Sequence, residues 1–284
     1  MASEPTVELV EVRTSDDIRH AGAFAAARTG AATPRFDAAL MMHGAAGTFS
    51  DPFYRNFSAA LVERGVATLR ANNRGHDVIN RGNGRGAMLG LALETVEDCI
   101  LDWQAWLGWL EARGFRRILL FGHSLGAVKT AYFLATARDP RVHGCVLASP
   151  PRFNTERLLA SAEYGREFAR TIAEAEELVA AGMPAELIPT TFPLRSYSSA
   201  QAYLAKYTRG AAFDVFAHVA DIPCPVLALT GELELDDPVF RDHPAEYAAA
   251  RERKPDLEFT VVTGGDHFYT QAQTFAVERL LAWL

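Results

Sequence analysis

The chain alternates between two hydrophobic rhythms. Short, nearly continuous apolar runs recur at Ala38 to Met42, Val66 to Ala71, Ile118 to Phe121, Val142 to Ala148, Val226 to Thr230 and Glu258 to Val262. Runs of that kind suit strands buried on both faces of a parallel sheet. Between them lie longer segments that predict helices, from near Pro52 to Gly65, Leu93 to Arg113, Ala127 to Ala137, Pro244 to Arg253 and Gln271 to Leu284. In the second of these, Ile100, Trp103, Trp106, Leu107 and Leu110 repeat at the spacing of one buried helical face, and Gly114 stops the pattern. Strands alternating with helices predict an α/β fold, with a mostly parallel central sheet flanked by helices. Ahead of it, Val7 to Val12 and Ile18 to Ala25 flank the turn signal Thr14-Ser15-Asp16-Asp17, which predicts an antiparallel hairpin at the sheet edge.

The alternation breaks between Arg152 and Ala220. Ala160 to Ala181 and Ala200 to Tyr207 read as helices, Phe192-Pro193-Leu194-Arg195 punctuates them, and no buried strand is expected. The predicted organisation is therefore a core in two parts, 1–151 and 221–284, with 152–220 as a helical cap inserted over the sheet. The Gly- and Arg-rich stretch Asn80 to Gly90 lacks the strand-loop-helix frame of a dinucleotide fingerprint and reads as a mobile loop.

Charge and cysteine usage narrow the class. The 284 residues carry a formal net charge of −7 with no Lys/Arg run, which argues against a nucleic-acid partner. No apolar stretch approaches the roughly 18 residues of a membrane span, and the first residues, Met1-Ala-Ser-Glu-Pro-Thr, lack the apolar core of a secretory signal. Cys99, Cys145 and Cys224 have no metal-ligand spacing and read as buried free thiols, so a cytoplasmic location is expected and no metal site.

Candidate chemistry gathers around Gly122-His123-Ser124-Leu125-Gly126, a G-x-S-x-G sequence that follows a predicted strand and opens a predicted helix. The glycines are required where a sharp strand-to-helix turn brings backbone close to backbone. Ser124 would then stand exposed over the carboxyl end of the sheet, beside the positive end of a helix. A serine hydroxyl needs a base. His267, in Gly264-Gly265-Asp266-His267-Phe268 after the last strand, is the histidine whose loop shares the same rim. The histidine needs a carboxylate in turn, and Glu232, Glu234, Asp236 and Asp237 all fall in the loop after Thr230. Donors for a developing oxyanion are expected from the backbone N–H of Leu125 and from Ala45, in His43-Gly44-Ala45-Ala46-Gly47.

Together these residues resemble the α/β-hydrolase fold superfamily, in its serine-nucleophile form with an inserted cap. Arg74-Gly75-His76 is similar to the family's Arg-Gly-x turn, and His267 sits at the family's histidine. The family's Gly-x-x-Asp pattern aligns Glu234 with the acid, where the usual residue is aspartate; Asp236 is the alternative. The resemblance implies a cofactor-independent hydrolase acting on an ester, thioester, lactone or activated amide through an acyl-enzyme. With Phe153, Phe168, Phe192, Tyr197 and Tyr203 in the cap, a small, mostly apolar acyl substrate is expected, with Phe153, Phe192 and Tyr197 at the binding site; these aromatics would equally serve to glue cap to core. The same residues on this fold would also support acyl transfer, cyclisation, carbon–carbon cleavage or simple ligand binding.

Overall fold

The apolar runs pair into one sheet. The computed structural model describes residues 6–30, 34–82 and 88–284. Its eight sheet strands are β1 (Glu8–Arg13), β2 (Arg19–Ala25), β3 (Ala38–Met42), β4 (Ala67–Ala71), β5 (Ile118–His123), β6 (Val142–Ala148), β7 (Val226–Gly231) and β8 (Leu257–Val262). They lie in the order β1-β2-β4-β3-β5-β6-β7-β8. β2 runs antiparallel to both of its neighbours, as the hairpin signal predicts. Every pairing from β4 across to β8 is parallel.

Alternation along the central strands divides the core into two layers. Ala38, Leu40 and Met42 of β3 face one side with Ile118 and Leu120 of β5, while Ala39, Met41, Leu119 and Phe121 face the other. The first layer is covered by α2 (Cys99–Ala112), through Trp103, Trp106, Leu107 and Leu110, and by α3 (Leu125–Ala137). The second is covered by α1 (Phe53–Glu63), through Phe53, Tyr54, Phe57 and Leu61, and by the last helix, Gln273–Trp283. Each fully buried Leu or Phe in these layers contributes about 1.5–3 kcal/mol relative to exposure. Two covered faces explain why β3, β4 and β5 are buried along their whole length.

The segment between β6 and β7 holds α4 (Thr155–Leu159), α5 (Gly165–Ala180), α6 (Ala200–Tyr207) and α7 (Val215–His218). It departs from the all-helical expectation: Leu187–Thr190 and Ser196–Ser199 form a small antiparallel hairpin. Leu187–Thr190 alternates exposed and buried, and Ser196–Ser199 reads Ser-Tyr-Ser-Ser, so no continuous apolar run marks them in the sequence. Phe168, Phe192, Tyr203 and Tyr207 form the segment's own apolar cluster, together with Leu125 and Val128 of α3. It is tied to the chain just before α2 by Ser199 N–H to the Ala92 carbonyl (2.7 Å), Lys206 to the Leu91 carbonyl and the Arg209–Glu97 ion pair. The expected loop at 80–90 is described at its ends, where Asn80–Arg81 pairs with Met88–Leu89; residues 83–87 lie outside the described residues. Among the described residues no helix is long and apolar enough to cross a membrane.

A buried ionic network fixes the turn after β4. Asp102 of α2 accepts from His20 Nε2 (2.9 Å), from the Arg74 backbone N–H (2.9 Å) and from the Arg74 guanidinium (2.9 Å), which also reaches Asp16. Burial alone would raise the Asp102 carboxyl, but the hydrogen bonds and charge of His20 and Arg74 outweigh it and pull it down to about 2. A carboxyl held below its ordinary value stabilises the fold above about pH 4 and loses that contribution as pH falls through 4 toward 2. The expected loss over that window is about 2 kcal/mol. Asp102→Asn should cost about 3 kcal/mol near neutral pH by depriving the buried Arg74 guanidinium of its buried counter-ion, and should flatten this part of the acid limb. Urea midpoints for both proteins across pH 2–7 check it; parallel acid limbs would refute it.

Candidate active site

β5 delivers the chain to Ser124 and α3 carries it away. Ser124 sits at φ 54°, ψ −126°, a conformation that costs about 1–3 kcal/mol for a residue with a side chain. It is held there from both sides. Its N–H donates to the Ala148 carbonyl at the end of β6 (2.8 Å), and its carbonyl accepts from Ala127 N–H (2.9 Å). A Cβ on Gly122 would stand 2.4 Å from the Gly126 carbonyl oxygen, and one on Gly126 would stand 2.4 Å from that of His43. The steric reason for both glycines is therefore met in the structure.

The strand ends bring the expected partners together. His267, after β8, has Nε2 2.9 Å from Ser124 Oγ and Nδ1 2.6 Å from Glu234 Oε1. A carboxylate accepts only, so Nδ1 carries the proton and Nε2 is free to accept from the serine hydroxyl. Glu234 lies in a short 3-10 turn, Glu232–Asp236, directly after β7, and is only 5 % exposed. Its second oxygen accepts from Gly231 N–H (2.6 Å) and from the Ser149 hydroxyl, which is itself 2.9 Å from the Tyr269 hydroxyl. Of the other carboxylates of this loop, Asp237 lines the cavity above Ser124 and accepts from Val239 N–H, while His267 Nδ1 is taken by Glu234. Asp236 is exposed, and Glu232 is exposed and caps Gly264 N–H (2.7 Å). The alternative acid Asp236 is thus not brought to His267; the longer Glu234 side chain spans the gap from a turn that begins one residue beyond the strand.

Two further histidines brace the site in neutral form. His123 Nε2 donates to the His267 carbonyl (2.8 Å), and its ring packs on Phe53 at 4.1 Å. Burial, reinforced by nearby His267, pushes His123 well below the ordinary imidazole value. His43 accepts from Asn73 N–H at Nε2 (3.1 Å), and its Nδ1 pairs with the Gly44 carbonyl (2.8 Å); burial pushes it down to about 3 against the effect of that carbonyl. The G-x-S-x-G pattern leaves the identity of residue 123 open, and no motif points to Ser149 or Tyr269. The position of Ser149 directly after a parallel strand was the available signal. Gly44 lies so close that a Cβ there would be 2.7 Å from Ser124 Cβ, which brings Ala45 to the rim. Neither Ala45 nor Leu125 donates its N–H to a backbone carbonyl among the described residues.

Above Ser124 lies a cavity of about 340 Å³, walled by Ala45, Leu125, Phe153, Leu194, Tyr207 and Phe240 among others. Of the three aromatics expected at a binding site, Phe153 lines it. Phe192 and Tyr197 are not among its lining residues. Phe192 is buried in the segment's own cluster, stacked on Tyr164 at 4.8 Å, and it is the following Pro193 and Leu194 that reach the cavity. Tyr197 is on the outward side of the small hairpin and 55 % exposed. Among the described residues no group of three or more His, Cys, Asp or Glu is arranged to hold a metal ion.

The fold has counterparts among solved structures. The chain is similar to the alpha/beta hydrolase GrgF from Penicillium sp. sh18, at 17% identity and TM-score 0.68, over 98% of this chain and 97% of that one. It is similar to Est1E from Butyrivibrio proteoclasticus at 16% identity and TM-score 0.65, over 97% and 98%. The Pyrococcus furiosus esterase Pf2001 follows at 18% identity and TM-score 0.61, over 98% and 91%. At these identities the likeness concerns the fold. No curated protein sequence matches this chain at a significant level. The sequence pattern of the alpha/beta hydrolase family, however, matches residues 39–279, most of the chain, so this protein belongs to the alpha/beta hydrolase family.

Proposed function

We propose that this protein is a serine hydrolase of the carboxylic-ester type, cleaving an ester, thioester or lactone bond of a small, largely apolar molecule. The observation that carries the reading is the continuous hydrogen-bonded relay from Ser124 Oγ through His267 to Glu234. His267 takes the serine proton as Oγ attacks the carbonyl carbon, and Glu234 holds and stabilises the imidazolium that forms. The backbone N–H groups of Ala45 and Leu125 receive the oxyanion. As the tetrahedral intermediate collapses, His267 returns the proton to the departing alcohol or thiol. A water activated by the same histidine then releases the acid from Ser124. No cofactor enters this scheme.

The segment 152–220 acts in this reading as a cap that supplies Phe153, Leu194 and Tyr207 to the acyl pocket. One of the similar structures, Pf2001, is an esterase, in keeping with it. Three cysteines buried as free thiols support a cytoplasmic location.

Ser124→Ala should fold normally and lose nearly all turnover of activated esters, with labelling by a fluorophosphonate abolished. A variant that keeps more than about a tenth of the wild-type rate removes Ser124 as the nucleophile, because losses of relay members are far larger. The acid is tested separately. Glu234→Gln should cut kcat by about 10³-fold or more, since the histidine loses its orienting anion. Asp236→Asn should change kcat less than about twofold, as expected of an exposed carboxylate distant from the chemistry. The reverse ranking in steady-state kinetics would transfer the role to Asp236.

A further inference from the structure

We propose that the open side of the cavity selects by charge, accepting substrates whose leaving group is neutral or cationic and rejecting anionic ones such as phosphate-bearing thioesters. This rests on the hydrolase reading above and deepens it. The cavity wall divides by exposure. Phe153, Tyr207, Val239 and Phe240 are buried and close the inner end, where an apolar acyl chain fits. Leu233, 62 % exposed, stands on the open side with exposed Asp237 and half-buried Asp266. His267 is half-buried and directly follows Asp266 in the chain, so a leaving group protonated by it departs past these carboxylates.

The charge inventory of the lining is one-sided. It contains Glu234, Asp237 and Asp266, and no lysine or arginine. Asp237 Oδ1 accepts from Val239 N–H (2.9 Å), and Asp266 Oδ1 accepts from Phe268 and Thr270 N–H (3.1 and 2.8 Å). Burial works against the Asp266 charge, but those hydrogen bonds, with a smaller contribution from neighbouring His267, outweigh it and hold the carboxyl below its ordinary value. Among the described residues, neither carboxylate has a cationic partner within 4.0 Å. The cation nearest in sequence, Arg241, is turned to Glu163 and to the Asp236 carbonyl. Glu234 is met by His267, which leaves the field of two unpaired aspartates at the opening. Each contributes about a fivefold bias at contact distance in water, in opposite senses for a cation and an anion.

The test uses three butyrate thioesters of a two-carbon thiol bearing a trimethylammonium, a tert-butyl or a sulfonate group, which are close in shape and differ in charge. At about 10 mM ionic strength, where screening is weak, kcat/KM should fall in the order trimethylammonium, tert-butyl, sulfonate, with about tenfold or more between the extremes. The gap should shrink severalfold at about 0.5 M salt. In Asp237→Lys it should close or invert, and in Asp237→Asn it should narrow. A sulfonate-bearing thioester cleaved as well as the cationic one at low salt would overturn the inference while leaving the hydrolase reading intact. A gap insensitive to both salt and Asp237→Lys would do the same, since shape and not charge would then be the cause. If none of the three is cleaved and a fluorophosphonate does not label Ser124, the hydrolase reading falls and this inference with it.

Discussion

Backbone against backbone is the constraint on which this site depends. The chain crosses itself where Gly126, in the first turn of α3, lies against the His43 carbonyl, and where Gly44 lies against Ser124. Contacts that close leave room for no side chain, so Gly44 on one segment and Gly122 and Gly126 on another are determined together. The positive-φ conformation of Ser124 follows from the same crowding. A turn wide enough to relax that residue would carry the β3 loop away from the hydroxyl. Local strain of a few kcal/mol is carried by the cores on either side of the sheet, which bury β3 and β5 completely.

Much of the fold was legible because parallel strands leave a one-dimensional trace. Every sheet strand from β3 to β8 corresponds to an apolar run, and the early hairpin to a turn signal flanked by looser alternation. Ser124 and His267 were legible for a related reason: a residue just after a parallel strand must emerge on the shared rim. What escaped was geometry that no spacing encodes. The hairpin at Leu187–Thr190 and Ser196–Ser199 is short, half-buried and interrupted by Pro189, so neither a run nor a clean alternation announced it. Phe192 and Tyr197 were chosen by residue type, whereas what reaches the cavity is decided by which side of the hairpin and its turn a residue falls on. The aliphatic wall at Leu194 and Val239 carried no distinguishing signal, because such residues are ordinary core elsewhere.

The segment between β6 and β7 and the sheet below it meet mainly through α3. Leu125 and Val128 belong to the same apolar cluster as Phe153, Phe168 and Tyr203. The helix that opens at Ser124 is thus also the floor of the cavity. The segment's position is further pinned by its polar contacts to residues 91–97, which lead into α2. Wall and floor are therefore fixed to one scaffold on the side where the cavity is closed.

Glu234 has an implication for how this site can change. Its two oxygens are committed in opposite directions, one to His267 and the other to Gly231 and Ser149, with Tyr269 behind Ser149. Shortening the side chain by one methylene would force the carboxylate to abandon one set of partners. An aspartate at this position is conservative in charge yet incompatible with the surroundings as they stand. Replacement would become neutral only after the turn or Ser149 had shifted first, so the effects of substitutions at Ser149, Glu234 and Tyr269 depend on the order in which they are made. Three loops drawn from distant parts of the sequence are in that sense a single mutational unit, and a change in any one of them is read out in the background set by the others.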